Sequence, residues 1–99
     1  MTEEMMKGRG AKFRILELLS GEDMWNYEVV ERISSERNQT SRFMKDSFNF
    51  DLIEVMAAGF IEPVQSEVDT DGSKLGEGRL LTKYRITDLG KNEFAWMCS

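Results

Sequence analysis

Three polar residues able to recognise bases recur at helical spacing in mid-chain: Arg42, Lys45 and Asn49. Positions i, i+3 and i+7 lie along one side of an α-helix. Asparagine can form two hydrogen bonds with adenine, and arginine can form two with guanine. This stripe is therefore a candidate for contacting base edges. The alternative interpretation is an ordinary solvated helix face.

A second basic group lies on a predicted strand near the C-terminus. Residues alternate in type there, which is the pattern of a half-buried strand. One face would hold Leu80, Thr82, Tyr84 and Ile86, and the other Arg79, Leu81, Lys83 and Arg85. The three cations on the second face could contact phosphates or a minor groove. Equally, they could protect a two-stranded hairpin from edge-to-edge aggregation.

The composition argues against catalysis and metal binding. The 99 residues include no histidine, which removes the usual general base and the commonest metal ligand. The only cysteine, Cys98, cannot build a zinc site by itself. We therefore expect neither an enzyme nor a cofactor. The net charge of −5 argues against non-specific binding of nucleic acid, so the distribution of the cations matters more than their sum.

The hydrophobic pattern predicts three helices, then a hairpin and a last helix. A helix is expected at about residues 11–20, a short link or strand at 22–25, and a second helix from Asn26 as N-cap. The third helix could start at Ser41 or at residues 46–47. We favour Ser41, because Phe43 and Met44 extend the apolar stripe. Gly59 would end this helix at residue 58.

A hairpin follows the third helix. Its strands are predicted at 60–68 and 80–86, joined by a glycine-rich, flexible tip at 69–78. Pro63 has no N–H, so it should lie on a free edge or at a bulge. Thr87 is expected to cap the last helix. The order predicts an α+β, mostly helical winged helix-turn-helix, with a three-helix core, a two-stranded wing and a C-terminal helix.

Several segments resemble PadR-like transcriptional regulators. The likeness lies in residues 15–33 (ILELLSGEDMWNYEVVERI), 48–62 (FNFDLIEVMAAGFIE) and 84–91 (YRITDLGK). In the first segment, the family has an aromatic residue and a Tyr-Glu-aliphatic sequence that lead into the second helix. The matching residues here are Trp25, Tyr27, Glu28 and Val29. The resemblance implies a dimeric repressor that places helix 41–58 in the major groove of double-stranded DNA, with the 60–87 hairpin as wing. The candidate DNA contacts are the polar residues picked out above by their spacing: Arg42, Lys45, Asn49, Arg79, Lys83 and Arg85.

An alternative function is a winged-helix module that binds protein and not DNA. Asp46, Asp51 and Glu54 all lie on the third helix, and acids oppose the approach of phosphate. A surface that gathers Arg42, Lys45, Lys83 and Arg85 on one face would favour DNA. The sequence identifies no small-molecule effector.

The remaining expectations concern the ends of the chain and its assembly. Residues 1–10 are predicted to form a flexible arm, and residues 11–99 a single domain. A C-terminal helix with Phe94, Trp96 and Met97 predicts a homodimer interface, and the alternative is packing on the first helix. No apolar run could span a bilayer and no signal peptide is visible, so we expect a cytoplasmic protein.

Overall fold

The computed structural model describes residues 10–99, which form four helices and one antiparallel sheet. In chain order the elements are α1 (Gly10–Gly21), β1 (Met24–Trp25), α2 (Asn26–Arg37), α3 (Arg42–Ala57), β2 (Ile61–Val68), β3 (Leu80–Ile86) and α4 (Asp88–Cys98). The predicted α+β, mostly helical winged-helix class is confirmed. The predicted arm lies outside the described residues apart from Gly10, which begins α1. None of the four helices has the length and apolar content that crossing a membrane requires.

One hydrophobic core joins the first three helices to the sheet. Its members repeat at helical spacing on each helix and are almost fully buried. They are Ile15, Leu16 and Leu19 from α1, Val29, Val30 and Ile33 from α2, Phe48, Leu52 and Val55 from α3, and Met24, Ile61, Tyr84 and Ile86 from the strands. Burying one such large apolar side chain contributes about 1.5–3 kcal/mol. This packing fixes which side of α3 faces away from the core.

The sheet has the strand order β1-β3-β2, with both pairs antiparallel. The predicted hairpin is confirmed as β2 and β3, which pair from Ile61 opposite Ile86 to Val68 opposite Leu80. The two residues of β1 add a third, short strand. The ladder shifts register between Pro63 and Gln65 on the edge strand β2. Pro63 therefore lies on an edge and beside an irregularity, as its missing N–H requires.

Side chains alternate along β3 as predicted, but the burial of its first two residues is the reverse of that expected. Leu80 is 60% exposed, whereas Leu81 is 2% exposed. From Thr82 onward the prediction holds, because Thr82, Tyr84 and Ile86 are buried. Since the neighbours Leu81 and Thr82 point to opposite faces and are both buried, β3 is covered on both sides at this point. Leu80 lies farther toward the tip of the wing, beyond that cover.

A threonine cap and a close approach position α4. The Thr87 hydroxyl accepts a hydrogen bond from the Gly90 N–H at 3.0 Å and donates one to the Gly59 carbonyl at 2.7 Å. The predicted cap is therefore confirmed, and it also fastens α4 to the chain that leaves α3. Gly90 is buried against the carbonyl of Phe60; a Cβ atom at Gly90 would lie 2.0 Å from that oxygen. Only glycine lets the two backbones approach so closely.

Candidate nucleic-acid interface

Helix α3 begins directly after Ser41, which is the favoured one of its two predicted starts. Ser41 is the N-cap, and its hydroxyl accepts a hydrogen bond from the Met44 N–H at 3.2 Å. Because Phe48, Leu52 and Val55 are buried, the opposite side of the helix is exposed. The first turns of α3 therefore carry side chains that solvent or a ligand can reach.

Arg42 and Lys45 lie at this end of α3, and each contacts a carboxylate. The Arg42 Nε atom is 3.6 Å from Asp46, one turn later on the same helix. Lys45 Nζ is 3.1 Å from a carboxylate oxygen of Glu31 on α2. Exposed pairs of this kind contribute at most about 1 kcal/mol each. The two cations are therefore available to a competing anion at small cost.

Asn49, the third member of the predicted stripe, is half-buried and has a protein partner. Its side-chain oxygen accepts a hydrogen bond from the Asn26 amide at 3.4 Å. The same Asn26 amide group donates to the Leu80 carbonyl at 3.3 Å. The structure thus places Asn49 at the junction of α2, α3 and the wing. Its own amide nitrogen is the group left for a base edge.

Asn26 organises that junction, although its predicted capping role is wrong. The cap position belongs to Trp25, whose N–H donates to Glu28 at 2.9 Å, and Asn26 is the first residue of α2. The Asn26 side chain is 4% exposed, and its oxygen accepts from the N–H groups of Tyr27 at 2.9 Å and Thr82 at 3.3 Å. The side-chain amide of Asn26 donates to the Leu80 carbonyl and accepts from the Thr82 N–H, as the peptide group of a neighbouring strand would. It therefore continues the pairing of β1 with β3 beyond residue 25.

The wing reaches α3 through Arg79. Its guanidinium lies 3.3 Å from Asp46, the carboxylate that also contacts Arg42. Gly76, in the wing tip, lies close to both arginines: a Cβ atom there would be 3.2 Å from Arg79 Cγ and 3.4 Å from an Arg42 terminal nitrogen. Two cations and one acid therefore meet where the wing tip touches the start of α3. We call Arg42, Asp46 and Arg79 the bridge cluster.

Lys83 and Arg85 differ in their surroundings on β3. Arg85 forms an ion pair with Glu62, the residue opposite it on β2, with Nε donating at 2.9 Å. The hydrogen bond to Glu62 raises the pKa of Arg85 above its ordinary value. Lys83 lies opposite Trp25 in the β1–β3 ladder, and within residues 10–99 no carboxylate lies within ion-pair distance of it. Of these two strand cations, Lys83 is therefore the one whose charge is less compensated.

The wing tip, which glycine content predicts to be flexible, is organised around one acid. Asp69 is 3% exposed, and one carboxylate oxygen accepts hydrogen bonds from the N–H groups of Lys74, Leu75 and Gly76 at 2.8–3.1 Å. These bonds, that of Gly76 first, lower the pKa of Asp69 to about 2. One buried acid thus holds the segment that carries Gly76 against α3.

The exposed side of α3 is more apolar than predicted. Phe43, which was expected to extend the buried stripe, is 78% exposed, and Phe50 is 59% exposed. Met44 packs against the core instead. The spacing contains the signal: Phe43 and Phe50 are seven residues apart and share one side, offset from the side of Phe48. Phe43 and Phe50 were absent from the predicted site.

Acids accumulate toward the second half of α3. Glu54 pairs with Lys12 of α1 at 3.3 Å. Asp51 is half-buried, and burial, reinforced by the neighbouring Glu54, raises the pKa of its carboxyl. No three carboxylate or thiol side chains within residues 10–99 converge on a point that could hold a metal ion. The helix cations of the candidate interface thus lie at the start of α3, and Asp51 and Glu54 lie later.

The three predicted dimer residues of α4 have different environments. Phe94 is half-buried, with its ring 5.5 Å from that of Phe13 on α1. Met97 is also partly buried against the core. Trp96 is 75% exposed, and Leu89, seven residues earlier on the same helix, is 54% exposed. Only Trp96 of the three therefore presents a largely free side chain.

Two solved structures share this architecture. A protein assigned as a transcriptional regulator from Thermoplasma acidophilum has a TM-score of 0.64 and 26% sequence identity, with 94% of this chain and 80% of that chain covered. A transcriptional regulator from Clostridium thermocellum has a TM-score of 0.65 and 19% identity, with 99% and 84% covered. The chain matches no protein-family model. It also matches no curated protein sequence closely enough to assign a family. The likeness establishes a fold shared with transcriptional regulators.

Proposed function

We propose that this chain is a sequence-specific, non-enzymatic regulator of transcription that binds double-stranded DNA. Helix α3 would enter the major groove, and the β2–β3 hairpin would act as the wing. The observation that carries the proposal is the bridge cluster, where Arg79 of the wing and Arg42 of α3 meet at one carboxylate. A phosphate that replaced Asp46 there would contact helix and wing at once. The two structural neighbours named as transcriptional regulators support this choice.

The finer parts of the proposal follow the same geometry. Residues 11–99 would act as one PadR-like winged-helix domain in the cytoplasm, and as a repressor by occupying its site. Two copies would associate through α4, where Trp96 is exposed. The proposed DNA contacts are Arg42, Lys45, Asn49, Arg79, Lys83 and Arg85. A dimer would bind two half-sites on one side of the duplex, about one helical turn apart.

Selection of bound duplexes from a random DNA pool at moderate salt tests the proposal. We expect enrichment of one sequence, followed by a binding constant that falls steeply with salt as counterions are released. Retention of no duplex, or of all duplexes equally, would contradict it. Asn49→Ala should then weaken binding to the selected site by about 1–3 kcal/mol and leave binding to a scrambled duplex nearly unchanged.

The bridge cluster allows a sharper test in which affinity should rise. Asp46→Asn removes the acid that holds Arg42 and Arg79, so both guanidiniums become free for phosphate. We expect tighter binding and a salt slope steeper by about 1–2, near the value for one or two added phosphate contacts. Glu22→Gln is the control, because it removes the same charge from an exposed site far along the chain from the cluster. Equal gains for both variants would mean that only net charge matters.

The wing can be tested separately. Lys83→Ala combined with Arg85→Ala should weaken binding by a similar factor on every sequence and lower the salt slope by about 1–2. Lys91→Ala, which removes one exposed cation from α4, is the control and should change the slope by less than half as much. An unchanged slope in the double variant would show that these strand residues do not touch DNA.

A second candidate is a module that binds protein, and the charge pairing favours it. Within residues 10–99, acids contact most of the candidate cations, including Arg42, Lys45, Arg79 and Arg85. The chain also carries a net charge of −5. Such a surface resists phosphate unless the pairs exchange. Failure of the duplex selection would make this candidate the better one.

A further inference from the structure

The side of α3 that would face a major groove carries two aromatic rings. Phe43 and Phe50 are both more than half exposed, and they lie in the first and third turns of the helix. Large apolar side chains exposed together mark a binding surface more often than isolated ones do. Neither ring is among the six proposed DNA contacts.

The spacing of the rings can be compared with that of base pairs. Seven residues are nearly two helical turns, so the rings point the same way and are separated by about 10 Å along the axis. Base pairs are stacked about 3.4 Å apart, so 10 Å corresponds to about three steps. Ser47 lies between the two rings on the same exposed side, and its hydroxyl can bond to the edge of any base.

Only one group in the major groove is apolar, the C5-methyl of thymine. We propose that Phe43 and Phe50 recognise thymine methyl groups, so that the selected site contains two thymines about three base pairs apart. This inference rests on the proposed DNA-binding function and names the bases that function would select. It supplies sequence recognition that does not depend on the paired cations.

Two arginines beside Phe43 match the phosphates of duplex DNA, which is the occupant of this face. Arg42 is the neighbour of Phe43 in sequence, and Arg79 reaches the same end of α3 from the wing. Both guanidiniums lie in exposed ion pairs, which a phosphate can replace at small cost. A groove that offers methyl groups at its floor and phosphates at its edges complements an apolar helix face that has Arg42 and Arg79 at its first turns.

Replacing thymine by deoxyuridine in the selected duplex tests the inference without altering the protein. The exchange removes the methyl group and keeps every hydrogen-bonding group of the base. We expect wild-type affinity to fall about fourfold for each contacted methyl lost, the factor for one buried methyl group. Phe43→Ala and Phe50→Ala should each bind the thymine duplex more weakly and each lose this discrimination at one position.

Leu89→Ala is the matched control, because it truncates an exposed apolar side chain on α4 and should keep the full discrimination. Circular dichroism of each variant checks that these exposed substitutions leave the fold intact. Equal binding of thymine and deoxyuridine duplexes by the wild type would overturn the inference while leaving the proposed function in place. Unchanged discrimination in both phenylalanine variants would overturn it too. Binding to no duplex at all would refute the proposed function, and the inference with it.

Discussion

Asn26→Ala should destabilise the fold more than any other amide truncation at the junction of helix and wing. The side chain makes four hydrogen bonds, to Tyr27, Thr82, Leu80 and Asn49. Thr82 is 7% exposed, so the substitution leaves its N–H buried without a partner. One buried N–H without a partner lowers the free energy of unfolding by about 1–3 kcal/mol. The loss of the longer hydrogen bonds to Leu80 and Asn49 lowers it by less. We expect a loss of about 2–3 kcal/mol, from a total that is commonly about 5–15 kcal/mol.

Urea unfolding followed by circular dichroism measures this loss through the midpoint and slope. The melting temperature should fall by about 10 °C or more, since a domain of this size loses about 4–8 °C per kcal/mol. Asn49→Ala is the control: it removes only the 3.4 Å bond and should cost less than about 1 kcal/mol. A loss below about 0.5 kcal/mol for Asn26→Ala would refute the assignment of Asn26 as the organiser of the junction.

Asn26→Asp separates hydrogen bonding from shape. It keeps the accepting oxygen but faces a carboxylate toward the Leu80 carbonyl and the Asn49 oxygen. Burial and these oxygens would raise the folded-state pKa of the introduced carboxyl above its unfolded value of about 3.9. The variant should therefore be least stable at neutral pH and recover as pH falls through that raised pKa, when the acid regains a proton to donate. A stability difference from wild type that does not change with pH would contradict this.

Three further substitutions test other parts of the structure. Gly90→Ala should lower the free energy of unfolding by at least about 2 kcal/mol in the same urea assay, because the added Cβ would lie 2.0 Å from a carbonyl oxygen. Gly21→Ala is the control and should be nearly neutral, because its added Cβ has no atom within 4 Å. Asp69 has a folded pKa of about 2, below its unfolded value, so its contribution is present above about pH 4 and is lost as pH falls toward 2. Hydrogen exchange of the Gly76 amide, corrected for its intrinsic pH dependence, should lose protection in that range and show no such step in Asp69→Ala. Trp96→Glu should convert a homodimer to a monomer in light scattering, and a wild type that is monomeric at high concentration would contradict the proposed α4 interface.

The features that were predictable from sequence are those decided by neighbouring residues. Thr87 was predicted as a cap because a hydroxyl before a helix satisfies N–H groups within one turn, and Ser41 was predicted as the start of α3 from the residues next to it. Pro63 was placed on an edge because its missing N–H excludes a central position. In each case the cause lies within about four residues of the effect, so no knowledge of the fold is needed.

The features that were missed depend on residues distant in the chain. Asn26 has a cap-like sequence context, but Thr82, 56 residues later, decides what its side chain bonds to. Leu81 follows the strand alternation, yet cover on both faces buries it. Phe43 extends an apolar run, and only the position of the core shows that it points outward. Periodicity identifies a face without saying which face the rest of the molecule covers.

The charge of a candidate interface is likewise a property of the fold. Arg42, Lys45 and Arg79 are cations in the sequence, but each lies beside an acid: Asp46 for the two arginines and Glu31 for the lysine. Since exposed ion pairs contribute little to the stability of the fold, each cation can exchange its acid for a DNA phosphate at little cost to folding. The same pairs weaken the electric field that attracts DNA from a distance, so electrostatic steering of DNA should be weak. Affinity should depend on the close fit of the two surfaces. A regulator built this way would discriminate by shape and by apolar contacts at its rings, and bind random DNA poorly.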